Sequence, residues 1–272
     1  MKLKTISFVY ALVLSAFFLT GCHQNKSKSS NADTASSADK KLDALFNNYW
    51  EENLKLFPIR ATLIGDHRYD DQYPNSQTQS FRDTLHAFYQ SYLDSVKAVD
   101  RSRLNDENKT NYDIYVYEMI NRLDGLKLNA WMIPFDQMNG DPIYLPLGNT
   151  ILPFKTVKDY DNWLSRLNKF PAWADSAIGN FRKGMVAGVV LPQALVVKMI
   201  PEMQSFVVSD PTKSLFYQPV TRLPKGISTS DSQRLVNDYK QIVLDVITPT
   251  YKKLADFLKN EYLPNARTTS GL

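Results

Sequence analysis

The chain has 272 residues with 32 basic and 28 acidic side chains, a net charge of +4 and a single cysteine. So near a balance provides no long-range field for phosphate backbones, and no basic stripe with interleaved aromatics occurs, which argues against a nucleic-acid partner. One thiol permits no internal disulfide, and none remains to ligate a metal if that cysteine is modified, so stability must come from burial, for which 15 Tyr, 14 Phe and 4 Trp supply large apolar areas.

The amino terminus has the layout of an export signal. Lys2 and Lys4 precede Ile6 to Leu19, a run in which only Ser7 and Ser15 are polar. That run is shorter than the roughly twenty residues a membrane-spanning helix needs. It ends in Leu19-Thr20-Gly21-Cys22, which looks like a bacterial lipobox, with the thiol diacylated after cleavage. Residues 1–21 are therefore read as a lipoprotein signal peptide and Cys22 as the lipid attachment site. The expected location is the bacterial cell envelope, with the chain anchored to a membrane on its periplasmic or surface side. Cleavage removes Lys2 and Lys4 and no acid, lowering the net charge from +4 to +2. His23 to Lys40 contain no aromatic and no branched aliphatic residue, so residues 22–40 read as a disordered tether, reaching roughly 25 Å.

Residues 41–272 read as a single α-helical domain. Leu42, Leu45, Phe46, Tyr49, Trp50, Leu54 and Phe57 form one apolar stripe on a helix that Pro58 closes. Further stripes run from Phe81 to Val99 and from Asp106 to Leu128, the latter with Tyr112, Tyr115, Met119, Leu123 and Leu126 on its buried side. Pro134 to Pro153 predicts a long irregular loop over the helices. Helix resumes near Thr156, and Pro171 opens another that ends near Gly184 or Gly188. A helix kinked at Pro201 and a proline-rich connection over 209–228 follow. The last and longest pattern, Leu235 to Tyr262, contains Pro249, which predicts a kink or two abutting helices. The fold class is all-α, with about seven or eight helices.

Few residues offer chemistry. The histidines are His23, His67 and His86, and no H-E-x-x-H, G-x-S-x-G, Walker A or G-x-G-x-x-G pattern occurs. The densest polar cluster is Gly65-Asp66-His67-Arg68-Tyr69-Asp70-Asp71. It reads either as a solvated turn after a short helix over 58–64 capped by Gly65, or as a group that holds a cation or lines a polar cleft, the cleft residues being Asp66, His67, Tyr69 and Asp70. Gly184 to Pro192 is small and apolar and reads as close helix packing.

Four stretches carry a family resemblance, in the same order along the chain: Phe57 to Asp70 (FPIRATLIGDHRYD), Leu145-Pro146, Tyr160 to Leu167 (YDNWLSRL) and Gly184 to Pro192 (GMVAGVVLP). They resemble the bacterial domain-of-unknown-function family 885. The resemblance implies an α-helical, zinc-peptidase-like protein, often an exported lipoprotein, similar in pattern to helical metallocarboxypeptidases. It also implies a length about twice that of this chain, with the zinc helix (H-E-x-x-x-x-H-H-like) in a second half that this chain lacks. No catalytic, metal or cofactor residue is carried over, and zinc is expected only in that half.

The leading expectation is the non-catalytic amino-terminal portion of a lipid-anchored metallopeptidase-like protein, forming one wall of a peptide-binding cleft and inactive alone. Two alternatives are a complete helical envelope lipoprotein that binds a peptide or glycan without catalysis, and a scaffold with an exposed helical face. The partners in the leading reading are a membrane, through the lipid on Cys22, and peptides.

Overall fold

The computed structural model describes residues 36–270. The export signal, Cys22 and most of the tether lie outside them. The first helix, α1 (Ser37–Leu56), begins inside the segment read as tether. The physical reason is a capping box: the Ser36 hydroxyl accepts from the Asp39 amide at 3.0 Å, and the Asp39 carboxylate accepts from the Ser36 amide at 3.1 Å. Asp39 also accepts from the Asn108 side chain at 2.9 Å and the Asn105 amide at 3.1 Å. These bonds, Asn108 and Ser36 foremost, hold its pKa down at about 2.

The short α2 (Pro58–Leu63) follows directly, with Pro58 in its first turn. Its end is a left-handed Gly65 at φ 85°, after which the Asp66 amide bonds back to the Ala61 carbonyl at 2.9 Å. Helices α3 (Gln79–Lys97) and α4 (Asp106–Lys127) match the second and third stripes. With α1 they enclose one apolar core of Leu42, Leu45, Phe88, Tyr92, Val96, Met119 and Leu123.

The proline-rich stretch is more ordered than an irregular loop. It folds into α5 (Asp141–Tyr144), a 3₁₀ turn (Leu145–Leu147) and α6 (Gly148–Ile151), with Leu145 and Gly148 buried. At Gly148 a side chain would lie 2.3 Å from the Trp163 ring, so the indole packs on bare backbone.

Helices α7 (Val157–Leu167), α8 (Phe170–Ala187) and α9 (Gln193–Gln204) come next. Helix α8 begins with Pro171 in its first turn and ends at Gly188, which takes the left-handed conformation at φ 72°. Pro201 lies within α9. Residues 209–228, expected as a plain connection, include an eight-residue 3₁₀ helix (Leu215–Arg222) that buries Phe216, Tyr217 and Val220.

The final rod comprises α10 (Thr229–Gln241), a π turn (Ile242–Ile247), α11 (Thr248–Phe257) and a second π turn (Leu258–Tyr262). The wider π turn before Pro249 accommodates the missing amide and the bulk of the proline ring, so the rod continues through the expected break. The larger core lies among α7 to α11 and includes Trp163, Phe170, Trp173, Phe181, Tyr239, Tyr251, Leu254 and Tyr262.

The fold is all-α, and among the described residues no strand occurs. Nine of the described α-helices have six or more residues, one above the expected upper count, because the last pattern divides at its first π turn. Residues 57–81 run between the two cores, and the sites below lie on that stretch.

Candidate functional site

The predicted polar cluster is a knot that fastens the loop after α2 to α7. Asp66 caps a 3₁₀ turn (His67–Tyr69), accepting from the Arg68 amide at 3.1 Å. The Arg68 guanidinium also grips the Asp66 carboxylate, at 2.6 Å, and reaches Glu51 on α1 at 2.7 Å. Asp70 turns inward and is only 4% exposed. One of its oxygens accepts from the Thr62 hydroxyl at 2.5 Å, and the other meets His67 Nδ1 at 2.8 Å.

Arg166 of α7, 2% exposed, completes the knot. Its guanidinium donates to the Thr62 hydroxyl at 3.1 Å, to the Tyr69 carbonyl at 3.0 Å and to the Gln72 carbonyl at 3.2 Å. Burial pulls its pKa below the usual arginine value and the Asp70 charge opposes that shift. Ser165 and Lys169 donate to the Asp71 carbonyl. Ser165 and Arg166 on α7 and Lys169 just beyond its end therefore hold the backbone of residues 69–72.

Of the four candidate cleft residues, Asp70 faces the interior, Asp66 is engaged by Arg68 and Tyr69 is partly buried. His67 keeps 41% of its side chain exposed. Its Nδ1 is directed at the Asp70 carboxylate, which fixes the ring orientation. His86 lies exposed on α3. Among the described residues no three His, Cys, Asp or Glu side chains converge, so these residues do not fit a zinc site.

A second site, absent from the sequence-based expectations, is a cavity of about 130 Å³ beside the knot. Its lining includes Phe57, Pro58, Ile59, Arg60, Tyr73, Phe81 and Asp141. Phe57 and Phe81 meet edge to face at 6.1 Å. The wall over 73–77 is pinned to α8, since Trp173 Nε1 donates to the Ser76 hydroxyl at 3.0 Å and Asn180 Nδ2 to the Gln77 carbonyl at 2.8 Å.

Asp141 is delivered by a tight turn in which the Met138 and Asn139 amides bond to Asp136 Oδ1. Gly140 follows at φ 119°, where a side chain would lie 2.3 Å from Phe135 Cβ. Asp141 Oδ2 accepts from the buried Tyr73 hydroxyl at 2.7 Å. Burial raises the carboxyl to about 6, and the Tyr73 bond acts against that rise.

Arg166 had a signal in the sequence, lying three residues after Trp163 on the buried arc of α7. Asp141 had none, because Gly140-Asp141-Pro142 follows no periodic pattern. At Gly184 a side chain would come 2.6 Å from the Val189 carbonyl oxygen and 2.9 Å from that of Met132, in agreement with the close-packing reading of Gly184 to Pro192.

The chain belongs to the family described as Bacterial protein of unknown function (DUF885), whose model matches residues 58–271. Among solved structures it is similar to a putative lipoprotein from Colwellia psychrerythraea, with a TM-score of 0.66 and 16% sequence identity. The similarity covers 87% of this chain and 43% of that one, so the chain spans less than half the length of that neighbour. No curated protein matches it. Among the described residues no helix is long and apolar enough to cross a membrane.

Proposed function

We propose that this chain is the non-catalytic amino-terminal portion of a lipid-anchored, metallopeptidase-like protein and forms one wall of a peptide-binding cleft. The observation that carries this reading is how the stretch Phe57 to Asp70 is used. Its first residues, Phe57 to Arg60, line the cavity, while its last, Asp66 to Asp70, tie that segment to α7. A wall built this way is pre-organised for a ligand, because the knot fixes the backbone before binding. The 43% coverage of the Colwellia protein leaves room for a partner half that would close the cleft, and zinc chemistry there is what the family resemblance implies. Attachment through Cys22 would hold the assembly at the envelope.

The test is photo-crosslinking of a peptide library to the full mature chain, followed by mapping of the labelled residues. Labelling is expected on residues 56–60, 73–81 and Asp141. Labelling spread evenly over the surface, or confined to α4, would overturn the reading.

A further inference from the structure

The peptide reading leaves open what chemistry the cavity selects. We infer that the Asp141 cavity is a subsite for an ammonium group carried on a short unbranched apolar chain, of which a lysine side chain is the peptide form. Asp141 Oδ2 is occupied by the Tyr73 hydroxyl, whereas Oδ1 accepts no hydrogen bond from the described residues. No Lys, Arg or His of the described residues forms an ion pair with Asp141. At neutral pH the carboxyl is largely ionised, so an uncompensated charge faces walls of Phe57, Pro58, Ile59 and Phe81. Such a charge is costly until a cation arrives.

The geometry favours ammonium over guanidinium. A guanidinium fork seeks two free carboxylate oxygens, and here one is taken, while a compact ammonium needs only one. The space, about 130 Å³, is close to that of a cavity that admits a body of about six carbons. The perpendicular rings of Phe57 and Phe81 flank the stem, and aromatic faces add attraction for a cation. Arg60, exposed at the same cavity, suits the other end of the ligand, a backbone carbonyl or a carboxylate.

The lysine form of this inference rests on the peptide-cleft reading; the ammonium chemistry does not. Calorimetric titration of the full mature chain with n-pentylamine and with n-pentanol is the primary test. The amine is expected to bind at least tenfold tighter than the alcohol. Asp141→Asn should weaken the amine tenfold or more, while Tyr73→Phe, which frees the second oxygen, should keep it bound. If Asp141→Asn does not fold, the amine-to-alcohol ratio on the unaltered chain decides. Equal affinities, or no saturable amine binding, overturn the inference. Ala-Lys-Ala binding tighter than Ala-norleucine-Ala supports the lysine form. Pentylamine binding with no preference between the two peptides leaves the ammonium site standing and overturns the lysine form, while the peptide-cleft reading stands or falls on the crosslinking map.

Discussion

Arg166 and Asp70 face each other inside the protein with 3.7 Å between Nη2 and Oδ1, and the Thr62 hydroxyl bridges them, accepting from the guanidinium and donating to the carboxylate. The bridging hydroxyl has one proton, and the charged oxygen at 2.5 Å is a stronger acceptor than the Pro58 carbonyl at 3.0 Å. Two of the family-resembling stretches are thus joined through a hydroxyl.

Breaking this pair should be a stability defect. Asp70→Ala leaves Arg166 buried without its counter-charge, and a loss of about 3–5 kcal/mol is expected. His67→Ala, at an exposed ring, should cost less than about 1 kcal/mol. Urea unfolding of the two variants checks the contrast, and comparable losses would mean that the knot is solvated.

Glycines in α8 should differ in sign. Gly184→Ala pushes a methyl against two carbonyl oxygens and should destabilise by about 1–3 kcal/mol. Gly179→Ala meets nothing within 4 Å and should stabilise by about 0.5–1 kcal/mol through helix propensity. Thermal melting of both variants would reveal the opposite shifts.

Asp141 predicts a pH dependence. Its ordinary pKa of 3.8 rises to about 6 on folding, so the folded state prefers the neutral form. The penalty is absent below about pH 4 and grows as pH rises through 6. Asp141→Asn should therefore stabilise the protein by on the order of 2–3 kcal/mol at pH 7.5 and have little effect near pH 4. Denaturant titrations at the two pH values measure this. A pH-independent difference would place the carboxyl in water.

Lipidation at Cys22 is tested by metabolic labelling with a clickable palmitate. Label on the unaltered chain that disappears in Cys22→Ala is the expected result, and equal label in both ends the lipoprotein reading.

The helical stripes were legible because apolar residues recur with one period along α1, α3, α4, α7 and α8. The knot was half legible. Asp66 to Asp70 stood out by polar density, but which carboxylate turns inward depends on Arg166, supplied by a distant helix. The cavity was not legible. Phe57, Tyr73, Phe81 and Asp141 come from four separate segments, and it takes both the path of residues 57–81 and the turn before Asp141 to bring them together. The π turns were also hidden, since Pro249 signals a disturbance without specifying how the helix absorbs it.

Those π turns have a consequence for how this chain can vary in length. Each holds one residue more than an α-helical turn over the same rise, and the flanking faces stay aligned. Tyr239 before the first turn and Tyr251 after it both remain fully buried. In the first turn the extra residue is what lets the rod pass Pro249: a one-residue deletion there would return the proline ring to a regular helix, against the carbonyl four residues before it. The same deletion in α3 or α4 would turn every following side chain by about 100°.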